Sequence, residues 1–211
     1  SIAKYEKDTT YSNGDNLYKH ISPSAKKHIE PIMKSLDLKL DTYKNDTLGY
    51  LNSVIITNEL AHCNFNNKGI DYYFIQKSKI NKKKIISLEN ADIQANAVNA
   101  GGDDYQNYQL ENISYDDAAT KKTNDATYTA IVNGNVSYFE KMDYGKNSKN
   151  KFVRDYYNIM ILQRNINMCN KIEHYLKSGK KYFIVVGTGH VLGPDDLVQM
   201  LKSKGYKVTR L

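Results

Sequence analysis

The sequence predicts an α/β or α+β fold: a central, mainly apolar sheet joined to a large helical portion. Two short runs carry the prediction. Tyr182-Phe183-Ile184-Val185-Val186 is continuously apolar, and Lys84-Ile85-Ile86-Ser87-Leu88-Glu89 has a β-branched centre and a polar stop. Runs of this kind read as strands buried on both faces. The first continues through Gly187-Thr188-Gly189-His190 to a helix start at Pro194-Asp195-Asp196, with Val208 in a short last strand, which makes a β-loop-α-β unit. Both runs then belong in one sheet. Glu89 and His190 would end on the same edge and meet across one cleft within about 10 Å, two strand spacings. Arg164 would line that cleft or pair with one of them.

The remaining elements follow in chain order. Residues 1–20 are polar and turn-rich. Ser22-Pro23 suits an N-cap followed by a first helical residue, and Ile29, Ile32, Met33 and Leu36 then recur at helical spacing, with Pro31 predicting a kink or break. Further helices are expected over about 46–62, with Leu48, Leu51, Ile55 and Leu60 inward, and over about 69–79. Gly101-Gly102-Asp103-Asp104 marks a turn. Weaker helical patterns cover about 105–112, 115–132 and 134–142, and 143–150 is a polar linker. A long helix over about 151–178 places Phe152, Tyr156, Ile159, Met160, Ile166, Cys169, Ile172 and Leu176 on one face, and Gly179 ends it. The last helix buries Leu197, Val198, Met200 and Leu201 and closes at Gly205.

Composition narrows the class. Of 211 residues, 40% are hydrophobic and 25% charged, a soluble globular balance with no apolar run long enough to span a membrane. The net charge of +7 is spread along the chain, densest at Lys82-Lys83-Lys84. Without a basic stripe interleaved with aromatics, it argues against nucleic acid and for a solvated surface. Cys63 and Cys169 form no metal-binding spacing; buried free thiols are favoured over a disulfide.

Five stretches in order resemble the TraB/GumN family. Phe183 to Val198, with Leu201 and Lys204 to Leu211, is similar to its C-terminal signature of strand, Gly-x-x-His, small loop, helix, Gly-Tyr and strand. His20-Ile21-Ser22 with Leu36 and Leu38, Gly69-Ile70-Asp71 with Phe74, Ile85 to Glu89, and Gln163-Arg164-Asn165 with Met168 match upstream segments. The resemblance covers the C-terminal three-quarters of the family's domain. It implies a fold like that of Tiki-type proteases and erythromycin esterases. It also implies that residues 1–211 are a single domain lacking its N-terminal strands, with 91–150 as a helical insertion or subdomain. A metal-dependent hydrolase of peptide or ester bonds is the implied activity. Here it would be incomplete, because the family's first Gly-x-x-His is not in this chain. The alternative is a non-catalytic module binding a peptide or a cell-envelope partner. An extracellular or envelope-associated, lipoprotein-like location goes with either, as does a dimer formed through an unpaired sheet edge.

Candidate site residues follow from residue chemistry and from the resemblance. His190, after a buried strand and a glycine turn, has the place and the chemistry to transfer a proton or to ligate a metal. Glu89 at the other strand end is the second catalytic and metal candidate. Arg164 is the third catalytic candidate, orienting a carboxylate or stabilising an oxyanion. Gly187, Thr188 and Gly189 are binding candidates through their backbone, and Asp71 is a binding candidate that also reads as a helix cap. The divalent metal itself has no identity from the sequence.

Overall fold

The structure, a computed structural model, describes residues 2–65 and 69–210. It is mainly helical: 63% of the chain is helix and 1% strand. The expected central sheet is therefore corrected. Among the described residues the only strand pairing is an isolated bridge between Thr10 and Asp46. The apolar runs 84–88 and 182–186 and the segment around Val208 carry no ladder. The reason is that apolar content reports what a segment can bury, whereas a strand also needs a neighbour's N–H and C=O groups. Burial on both faces fails too. Ile184 and Val186 pack onto helices, but Phe183 is 74% exposed and Ile85 50% exposed. Without a sheet there is no sheet edge, so the expected edge-paired dimer loses its basis.

The chain divides into two compact units, Ser1–Asn67 with Asn90–Tyr128, and Lys68–Glu89 with Thr129–Leu211. In the first, α1 (Ile2–Asp8) packs on α5 (Ala91–Val98), and α2 (Pro23–Ser35) packs on α6 (Gly102–Asn112). Ser22 caps α2 by accepting from the Ala25 N–H at 3.0 Å, and its own hydroxyl donates to Glu111 on α6 at 2.8 Å. Pro31 lies inside α2 without ending it. α3 (Leu48–His62), capped by Thr47, adds Leu48, Leu51 and Ile55 to a core shared with Leu17, Ile29, Met33 and Leu110. Gly49 lets α3 meet α5: a Cβ there would stand 2.1 Å from the Val98 carbonyl oxygen. α7 (Asp117–Val132) contains the boundary between the units.

In the second unit α4 (Ile70–Ile80) buries no residue fully, and α8 (Val136–Glu140) is a short helix carrying the buried Phe139. The long helix is continuous but not regular. α9 (Lys151–Tyr157) passes through a π-helical segment, Asn158–Gln163, into α10 (Arg164–Lys177). A π turn holds an extra residue and rotates the helix on either side of it. The inward residues are Tyr157, Asn165, Met168, Cys169 and Ile172, while Phe152, Ile166 and Leu176 are exposed. Gly179 and Gly205, at φ +69° and +88°, follow the ends of α10 and α11 (Leu197–Ser203) in the left-handed conformation that terminates helices cheaply. Met168, Cys169, Ile172 and Leu197 form this unit's core, with Leu88, Ile184, Val186 and Val191 packed against it. Cys63 and Cys169 are both free and buried.

Candidate functional site

Two consecutive residues at the start of α10 organise the site. Arg164 donates from Nε and Nη2 to the two carboxylate oxygens of Glu89, each at 2.7 Å, a bidentate pair. Its Nη1 donates to the Met160 carbonyl in the π segment at 3.3 Å. Three of the five guanidinium N–H groups are thereby in use. The next residue, Asn165, is fully buried and places its side-chain oxygen 2.6 Å from Nδ1 of His190. One turn of helix thus gathers Glu89 and His190, the task the sequence reading gave to a shared sheet.

His190 ends a 3-10 turn, Thr188–His190, opened by Gly187, whose carbonyl accepts the His190 N–H at 2.9 Å. The residue is 8% exposed. Burial pushes its imidazole below the ordinary 6.5, the Arg164 charge pushes the same way, and Glu89 opposes them. Burial and the Arg164 charge both favour the uncharged form of the ring.

The loop after His190 is held by residues that sequence reasoning missed. Asp195, at φ +55°, accepts from the Tyr157 hydroxyl at 2.7 Å and pairs with Lys146 at 2.7 Å. Its carbonyl accepts from the Asn165 amide nitrogen at 2.7 Å. Tyr144 donates to the Leu192 carbonyl at 2.9 Å, and its ring leaves no more than 3.3 Å for a Cβ at Gly189 or Gly193. One signal was available: Asn165 stands beside Arg164 in the Arg-Asn stretch. Nothing local marked Tyr144, Lys146 or Tyr157.

Of the other expected residues, Gly187, Thr188 and Gly189 build the turn that presents His190. Asp71 is exposed in the first turn of α4, where no side chain caps the helix, and no described hydrogen bond or ion pair joins it to His190, Glu89 or Arg164. Both Glu89 oxygens accept from the Arg164 guanidinium, and among the described residues no group of three or more His, Cys, Asp or Glu side chains is gathered.

A family model for TraB/PrgY/gumN matches residues 1–210. The chain belongs to the TraB/PrgY/gumN family. The match spans almost the whole chain, more than the stretch carrying the five motifs. In this TraB/PrgY/gumN protein the Arg-Asn motif is joined both to the Gly-x-x-His motif, through Asn165 and His190, and to the 85–89 stretch, through Arg164 and Glu89. No curated protein and no solved structure matches the chain. No described helix of this TraB/PrgY/gumN protein is long and apolar enough to cross a membrane.

Proposed function

We propose that this protein is a hydrolase of peptide or ester bonds in which His190 is the proton-transfer group. The supporting observation is a nearly buried imidazole, whose charged form burial disfavours, joined through Asn165 to the residue next to it, the Arg164 of a bidentate Arg–Glu pair. A neutral imidazole accepts the proton of an attacking water and returns it to the leaving group, a contribution of about 100- to 10,000-fold. Arg164 keeps two N–H groups outside its three bonds, and these offer an oxyanion charge-assisted donors. Glu89 holds the guanidinium in place. An extracellular or envelope-associated site of action accompanies this reading and is checked by cell fractionation.

The test is hydrolysis of a panel of short peptides and aromatic esters by the wild type and His190→Gln. The expected outcome is a loss of at least about 100-fold in kcat with an unchanged melting temperature. Equal rates in the two proteins would remove His190 from the chemistry.

A second reading, peptide binding without catalysis, draws on the first unit. An open groove of about 590 Å³ there is lined by His28, Ile32, Glu111 and Tyr115 among others. It predicts that peptides bind the His190→Gln protein as tightly as the wild type and are recovered intact from both.

A further inference from the structure

We infer that Asn165 is a positioning residue: it fixes the His190 ring with a proton on Nδ1 and leaves Nε2 as the nitrogen available to a substrate. This rests on the proton-transfer reading of His190, and the hydrogen bonding decides it. The Asn165 Nδ2 lies 2.7 Å from the Asp195 carbonyl oxygen, a group that only accepts. The NH₂ end of the amide must therefore face Asp195. Flipping the amide would set two acceptors against each other at that distance. The amide oxygen is then the atom 2.6 Å from His190 Nδ1, and since it too only accepts, Nδ1 carries the hydrogen. A neutral imidazole has one N–H, so Nε2 keeps its lone pair.

Asn165 cannot turn to offer the other end of its amide, because the Asp195 carbonyl is anchored independently. The Asp195 carboxylate is tied to the Tyr157 hydroxyl and to Lys146, each at 2.7 Å, and the Tyr157 hydroxyl also lies 3.0 Å from the Pro194 carbonyl. Asp196 begins α11 by accepting from the Gln199 N–H at 2.7 Å. Asn165 is itself fully buried, with no water-facing route to a second orientation. On the far edge of the ring, the carbon bonded to Nε2 faces a glycine. A Cβ on Gly187 would stand 3.7 Å from Cδ2, the carbon bonded to Nε2, so any longer side chain would begin to cover that edge. Gly187 itself is exposed, beside a His190 that is 8% exposed.

The experiment is a long-range ¹H–¹⁵N spectrum of the labelled 211-residue chain at neutral pH, which reports the protonation of each ring nitrogen. The expected His190 pattern is a protonated Nδ1 and a bare Nε2 in nearly all molecules. In Asn165→Leu, similar in volume but without the amide, Nδ1 protonation should fall to a minority. A wild-type spectrum with the proton on Nε2, or an Asn165→Leu spectrum unchanged from wild type, overturns the inference. If Asn165→Leu does not fold, the wild-type spectrum decides alone. The readout does not depend on turnover. A chain with the expected spectrum that hydrolyses nothing would sink the hydrolase reading and leave the role of Asn165 standing.

Discussion

Arg164 does two things at one position, and each can be measured. It neutralises a Glu89 side chain that is only 9% exposed, and it depresses the His190 imidazole. Removing it in Arg164→Met leaves a nearly buried carboxylate without its partner, a loss of about 3 kcal/mol in denaturant melts. The same variant should raise the His190 titration midpoint, whereas Glu89→Gln, which removes the opposing charge, should lower it. Equal midpoints in the two variants would show that neither charge reaches the ring. The sequence made these residues legible by type: a His after a glycine turn, a Glu at the end of an apolar run, an Arg in a helix. Their wiring was not legible, because it depends on which turn of α10 faces the two segments. Asn165 was visible only as the neighbour of Arg164.

Helix boundaries were the most readable elements because they rest on local chemistry. Ser22-Pro23, Gly179 and Gly205 each act where the sequence placed them, since a cap needs only the residues beside it. Two features escaped for a common reason. The π segment Asn158–Gln163 shifts the register of the long helix, and no residue type marks it. The apolar runs at 84–88 and 182–186 suit a strand or a one-sided packing segment equally, and only the partner decides. Here the partners are α10 and α11, so Ile184 and Val186 turn inward and Phe183 outward. Close approach between helices is equally invisible in sequence, yet it makes a strong prediction. Gly49→Ala would drive a Cβ against the Val98 carbonyl at 2.1 Å, so α3 or α5 must move. A loss of about 2 kcal/mol or more is expected in thermal melts, as overpacking costs elsewhere. An unaffected melting temperature would mean that α5 does not seat on α3 as described.

On the scale of the whole molecule, the chain forms two compact units, each with its own helical core, where the sequence suggested a central sheet. The first unit carries a pH-dependent contact of its own. His20 lies between Asp103, 2.5 Å from Nδ1, and Asp15, 2.9 Å from Nε2, and stacks on Tyr11 at 4.2 Å. Partial burial works against its cation, but the two aspartates prevail and raise it above 6.5, while His20 in turn lowers Asp15 below 3.8. A raised histidine stabilises fully below its unfolded value and loses that contribution as pH rises through the folded value. A lowered aspartate stabilises above its unfolded value and loses it as pH falls through the folded one. Amide protection in the first unit should therefore be greatest between pH 3.8 and 6.5 and weaken on both sides. His20→Phe should flatten that profile.

The second unit holds the feature on which the proposed function depends, a nearly buried histidine whose charged form burial disfavours. Titrating His190 by NMR in the 211-residue chain tests it most directly. Burial and Arg164 predict a midpoint below 6.5. A midpoint at or above 6.5 would make His190 a substantially cationic ring near neutral pH, and the proton-accepting role proposed for it would fall.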